Sequence, residues 1–76
     1  MADATKTLDA SGLKCPMPIV RTRQAIDEIA AGEVLEVIST DRGSLQDLPA
    51  WAESTGNRLI ETREEGERFV FLIEKA

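Results

Sequence analysis

At 76 residues, 42% of them apolar and 30% charged, the chain has room for one small domain over residues 1–76 and no second core. Its net charge of −5 argues against binding a phosphate backbone, which needs clustered lysine and arginine, and against an anionic membrane surface. No apolar run reaches the roughly 20 residues of a membrane span, the first six residues lack the apolar centre of a signal peptide, and a lone cysteine forms no internal disulfide. The expected location is therefore the cytoplasm, where thiols stay reduced.

Residues 1–4 are expected to be flexible. Residues 5–9 read as a short first strand with Leu8 its main apolar residue, and Ala10-Ser11-Gly12 as a loop that Leu13 anchors to the core. Residues 18–31 predict an amphipathic helix with Ile19, Ile26, Ile29 and Ala30 on one face and Gly32 as its C-terminal stop. Residues 34–40 form the clearest strand, with Leu35, Val37 and Ser39 on one side and Val34, Glu36 and Ile38 on the other, wetter side. A second helix is expected from Leu45 or Leu48 to Thr55, with Asp47 as N-cap and Pro49 in the first turn. Residues 58–64 and 67–75 predict a hairpin around Glu65-Gly66. Its second strand is apolar on both sides through Phe69, Val70, Phe71, Leu72 and Ile73, which predicts a central place in the sheet or cover from a partner. The order β-α-β-α-β-β predicts a two-layer α/β sandwich, with two helices on one face of a four-stranded mixed sheet.

Cys15 is the only cysteine, and the chain has no histidine. It stands before Pro16-Met17-Pro18 where a loop becomes a helix, and reads either as a working nucleophile or as a small buried filler. The flanking prolines, which stiffen the approach to the thiol, favour the first reading. The positive end of the helix, with the N–H groups of Met17, Ile19 and Val20, and Lys14 beside it, are expected to lower the thiol pKa. Without histidine, hydrolysis by a cysteine–base pair and a zinc site are both implausible, and no metal or cofactor is expected. What remains is chemistry that one thiolate does alone, namely attack on a polarised sulfur and its transfer to another thiol. Arg21 and Arg23 read first as a solvated helix face and second as a docking patch for an acidic protein surface. A non-catalytic binding or regulatory module is the alternative function. RNA binding is disfavoured by the charge and by having only three aromatic residues.

The run Leu8-Asp9-Ala10-Ser11-Gly12-Leu13-Lys14-Cys15-Pro16-Met17-Pro18 resembles the signature of the TusA/SirA-like sulfur carrier proteins, whose hallmark is Cys-Pro-x-Pro after a first strand. The likeness continues through Ala31-Gly32-Glu33, Thr40-Asp41 and Asp47-Leu48-Pro49-Ala50-Trp51 to Gly56 and the closing hairpin. The resemblance implies a fold like the C-terminal domain of bacterial translation initiation factor three, and a persulfide carried on Cys15. It implies a cysteine desulfurase, rhodanese or DsrE-type protein as sulfur donor, and a protein acceptor in tRNA thiolation or sulfur oxidation. Arg23 matches a family arginine associated with partner docking and Asp41 an acidic loop position, and Lys14, Arg21 and Asp41 are expected to take part in docking with Arg23. Met17 between the prolines and Arg42-Gly43 after Asp41 depart from the tRNA-thiolation type, Ala52 stands beside Trp51 where some relatives have a cysteine, and together these leave the pathway open. A monomer that binds neither nucleic acid nor membrane is expected.

Overall fold

Six elements follow one another in a computed structural model that describes residues 4–76. These are β1 (Lys6–Ala10), α1 (Met17–Ile26), β2 (Val34–Ser39), α2 (Ser44–Ser54), β3 (Arg58–Glu65) and β4 (Arg68–Glu74). The flexible stretch expected over residues 1–4 thus lies, apart from Ala4, outside the described residues. Thr5 is already held, its N–H donating to the Val34 carbonyl at 2.7 Å.

The strands form one mixed sheet in the order β1-β2-β4-β3, with β1 parallel to β2 and both other pairs antiparallel. The element order and the mixed four-stranded sheet are those expected from the sequence. Strand alternation sends Leu35, Val37, Phe69, Phe71 and Ile73 into one core with Ala25 and Ile26 of α1 and Leu48 and Ala52 of α2. Leu8, Leu59 and Trp51 pack half-buried around it.

The two-sided apolar pattern of β4 is explained by its place between β2 and β3. On the face away from the helices Val70 is still only 3% exposed and Leu72 only 7%, so something covers them. Arg63 lies opposite Val70 in register. Its guanidinium reaches Glu36 on β2 at 3.6 Å, and Glu61 and Glu65 at 3.2 and 3.6 Å. The aliphatic stem therefore crosses β4 while three carboxylates hold its charged end, an arrangement in which packing outweighs exposed ion pairing. Replacing Arg63 by alanine is expected to lower stability by about 1 kcal/mol, read as a lower urea midpoint at unchanged slope. An unchanged midpoint would show that the stem contributes no cover.

The helices depart from their predicted bounds in ways that matter at the site. α1 starts at Met17, with Pro16 as N-cap and Pro18 inside its first turn, and stops at Ile26, five residues before the predicted end at Ala31. Its buried side is Pro18, Thr22, Ala25 and Ile26, while Ile19 is half-buried and Ala30 exposed. Past that end the chain is held by one local and one distant side chain. Lys75 Nζ donates to the Ile29 carbonyl at 2.7 Å, and the Glu33 carboxylate accepts from the Ala30 N–H at 2.6 Å. Gly32, at φ +86°, sits in the following turn and donates to the Lys75 carbonyl rather than capping the helix. α2 begins at Ser44, so Asp47 is not its N-cap and Pro49 lies inside the helix rather than in the first turn. The earlier start is fixed by Ser44 Oγ, which shares a buried 2.7 Å hydrogen bond with Ser39 Oγ at the end of β2.

Candidate functional site

Cys15 lies in the loop between β1 and α1, one residue before the N-cap, and a cis peptide bond joins it to Pro16. It is exposed, which removes the reading of it as a buried filler. The loop is tied down at both ends by the β2–α2 loop. The Gly12 N–H donates to Thr40 Oγ1 at 2.8 Å, and the Cys15 N–H donates to Asp41 Oδ2 at 2.9 Å. Asp41 is itself fixed, since its N–H donates to Ser39 Oγ at 3.2 Å and its carbonyl accepts from the Ser44 N–H at 3.0 Å. The seam between parallel neighbours β1 and β2 therefore opens at its C-terminal end into a shallow depression. Gly12, Leu13, Lys14, Cys15, Thr40 and Asp41 line it.

The thiol has a side-chain partner that sequence reasoning assigned elsewhere. Cys15 Sγ donates to Asp47 Oδ2 at 3.2 Å, from the loop to the first turn of α2. Gly43 sits between the two carboxylates: a side-chain carbon there would lie 3.3 Å from Asp41 Oδ2 and 3.7 Å from Asp47 Oδ2. The Asp47 hydrogen bond, then partial desolvation, then the charges of Asp47 and Asp41 push the Cys15 thiol above its ordinary pKa. That overturns the expectation of a lowered value. Two of the three N–H groups expected to stabilise a thiolate are engaged by carbonyls: Met17 donates to Lys14 and Val20 to Pro16. Neighbouring carboxylates disfavour the anion, so the protonated thiol is the dominant form at neutral pH. Alkylation of Cys15 by iodoacetamide is accordingly expected to be slower at pH 7 than that of a free-cysteine peptide. Its rate should climb with a midpoint on the alkaline side of the peptide's. A midpoint below the peptide's would contradict this electrostatic account.

Lys14 and Asp41 share the depression with Cys15, and Pro16, Met17 and Pro18 form the adjoining start of α1. Arg21 and Arg23 are exposed on α1. Arg23 lies in its last turn, beside a second depression lined by Ile26, Trp51 and Asn57, and is not brought to Cys15. Arg42 follows Asp41 but turns the other way, its guanidinium 5.8 Å from the centroid of the Phe69 ring. Thr40 and Asp47 complete the site beyond the residues named from the sequence. No local signal pointed to Asp47 at the site, since its place in the first turn of α2 depends on the helix start at Ser44, which pairs with Ser39. Among the described residues, no group of three or more His, Cys, Asp or Glu side chains could hold a metal ion.

Residues 6–75 match the sequence model of the family described as "Sulfurtransferase TusA". The chain belongs to this TusA family. Over 76 residues, all of both chains, it is 51% identical to the sulfur carrier protein TusA of Allochromatium vinosum. It is 39% identical over 69 residues to the sulfur carrier protein TusA of Pseudomonas entomophila, covering 91% of this chain and 86% of the relative. The crystal structure of a SirA-like protein from Desulfitobacterium hafniense superposes with a TM-score of 0.81 at 30% identity. That match covers 92% of this chain and 96% of the other. The family sandwich expected from the Cys-Pro-x-Pro resemblance is thus the fold observed. No helix among the described residues is long and apolar enough to cross a membrane.

Proposed function

We propose that the protein is a sulfur carrier that accepts sulfane sulfur on Cys15 as a persulfide and passes it to a partner thiol. The observation that carries this reading is the exposed Cys15 Sγ, held at the mouth of a shallow, open depression in a chain of the TusA family. A shallow site suits sulfur passed between protein surfaces, because both donor and acceptor must reach the same atom.

In loading, Cys15 Sγ attacks the outer sulfur of a donor persulfide. The new Sγ–S bond forms as the donor's S–S bond breaks, and the electron pair leaves with the donor thiolate. That thiolate takes up the proton given up by Cys15, so Cys15–SH and donor–S–S⁻ become Cys15–S–S⁻ and donor–SH. Unloading is the same step with the acceptor thiol as attacker. No metal or cofactor takes part.

The donor in this reading is a cysteine desulfurase, a rhodanese or a DsrE-type protein. Lys14, Arg21, Arg23 and Asp41 dock donor and acceptor, beside Met17 and Val20, which are apolar and each 38% exposed at the start of α1. The acceptor belongs to tRNA thiolation or to sulfur oxidation, and the carrier works as a monomer in the cytoplasm, where its thiol stays reduced between cycles. The test is intact-mass measurement after incubation with a cysteine desulfurase and cysteine, with thiosulfate and a rhodanese, or with polysulfide. Gain of one sulfur atom, removable by dithiothreitol and mapped to Cys15, is expected. No gain from any of these donors would sink the proposal.

A further inference from the structure

The charged groups around Cys15 raise a question that sulfur transfer alone does not answer. Asp47 faces the sulfur from α2 and Asp41 faces the Cys15 backbone from the β2–α2 loop. Lys14 comes from the site's own loop, and the first turn of α1 contributes no acidic side chain. Arg42, the nearest arginine in sequence to these carboxylates, is committed to Phe69. The one side chain bonded to the sulfur is thus an anion.

We propose that Asp47 is a positioning residue that favours the empty carrier over the loaded one, because its Oδ2 accepts a hydrogen bond that only the Cys15 thiol can donate. This rests on the reading of Cys15 as the persulfide site. In the empty protein, the 3.2 Å contact joins Sγ–H to the carboxylate. After loading, Sγ is bonded to the outer sulfur and has no proton to donate. A persulfide is a stronger acid than its parent thiol, so the outer sulfur carries negative charge. The Asp47 contact then changes from a hydrogen bond to a repulsion between like charges. The elevated pKa of the empty thiol has the same origin.

The consequence is a bias in sulfur exchange. In Cys15–S–S⁻ + R–SH → Cys15–SH + R–S–S⁻ the acceptor sulfur bonds to the outer sulfur and the Sγ–S bond breaks. The electron pair stays on Sγ, and the proton shed by the acceptor ends on Sγ. Charge and protons balance on the two sides, and no oxidant or reductant enters. Asp47 stabilises the product thiol and destabilises the reactant anion, so it pushes the carrier to give sulfur away.

The test uses glutathione and glutathione persulfide as the exchanging pair, with the full chain as wild type, Asp47→Asn, Asp47→Glu and Glu53→Gln. Glu53 is exposed on the same helix. Its replacement removes the same charge without touching the hydrogen bond to sulfur. The loaded fraction at equilibrium is read by intact mass. Asp47→Asn is expected to shift the exchange constant toward the loaded carrier by roughly three- to tenfold, the range for one charge-assisted hydrogen bond in a partly solvated setting. Asp47→Glu should restore much of the wild-type balance, and Glu53→Gln should leave it within about twofold. The alkylation profile of the empty thiol, which involves no sulfur transfer, should move to lower pH when Asp47 is made uncharged and not in Glu53→Gln. Asp47→Ser gives a second uncharged variant should the amide disturb the first turn of α2. Wild-type loading with an unchanged exchange constant in both uncharged variants overturns the inference and leaves the carrier reading intact. An equal shift in Glu53→Gln also overturns it, by making the effect one of net charge. If every chain with Cys15 stays unloaded, the carrier reading itself falls.

Discussion

Cys15→Ser is expected to abolish sulfur loading from every donor, with the mass of the treated protein unchanged and its fold intact. Cys15 is the only sulfur nucleophile in the chain, and the two methionine thioethers have no ionisable proton and form no persulfide. Serine keeps the shape of the loop, because the backbone contact from Cys15 N–H to Asp41 and the Gly12–Thr40 bond do not involve the thiol. A hydroxyl can also donate to Asp47 in place of Sγ. Cys15→Ser should therefore melt within about 4 °C of wild type, since exposed substitutions away from packing stay within about 0.5 kcal/mol. A treated Cys15→Ser protein that still gains dithiothreitol-labile sulfur would place the carrier site elsewhere. In cells, a Cys15→Ser chain that retained the biological role would favour the alternative of a non-catalytic binding module.

Phe71→Ala should have the largest effect on stability. Phe71 has no exposed surface, lies on the central strand opposite Val37 on one side and Thr62 on the other, and belongs to the core shared with Leu48 and Ala52 of α2. Truncating a fully buried phenylalanine costs about 3–5 kcal/mol. A domain of this length has roughly 4–11 kcal/mol in total, at 0.05–0.15 kcal/mol per residue. The variant is expected to melt at least about 12 °C lower, at the 4–8 °C per kcal/mol usual for this size, as measured by circular dichroism. A loss under about 1 kcal/mol would mean that the helices close over the gap. The same experiment bears on the site, because α2 carries Asp47. A loosened α2 should weaken the Sγ contact before the chain unfolds, seen as an alkylation profile shifted toward that of a free cysteine.

Much of the fold was legible because its signals are local. Alternation in Val34–Ser39 and in Arg68–Glu74 follows from strand geometry alone, and a strand apolar on both sides belongs in the middle of a sheet. Gly66, at φ +67°, marks the hairpin turn for the same reason. Cys15 before Pro16-Met17-Pro18 was likewise visible as a thiol at the start of a helix.

Element order, the two-layer arrangement and the position of the lone thiol are thus readable without the fold, since periodicity, turn residues and composition act over a few neighbouring residues. The folded chain settled how the backbone runs on past α1, where α2 starts and what the thiol meets. α1 stops at Ile26, with Lys75, 46 residues beyond Ile29, taking the Ile29 carbonyl. α2 starts at Ser44, whose hydroxyl pairs with that of Ser39 across a loop. That start turns Asp47 from a supposed cap into the hydrogen-bond acceptor of Cys15, 32 residues away. A helix dipole can be inferred from one segment, but a carboxylate brought from another segment is seen only when the chain is folded. Its hydrogen bond and charge push the thiol pKa up, against the direction expected from the helix end.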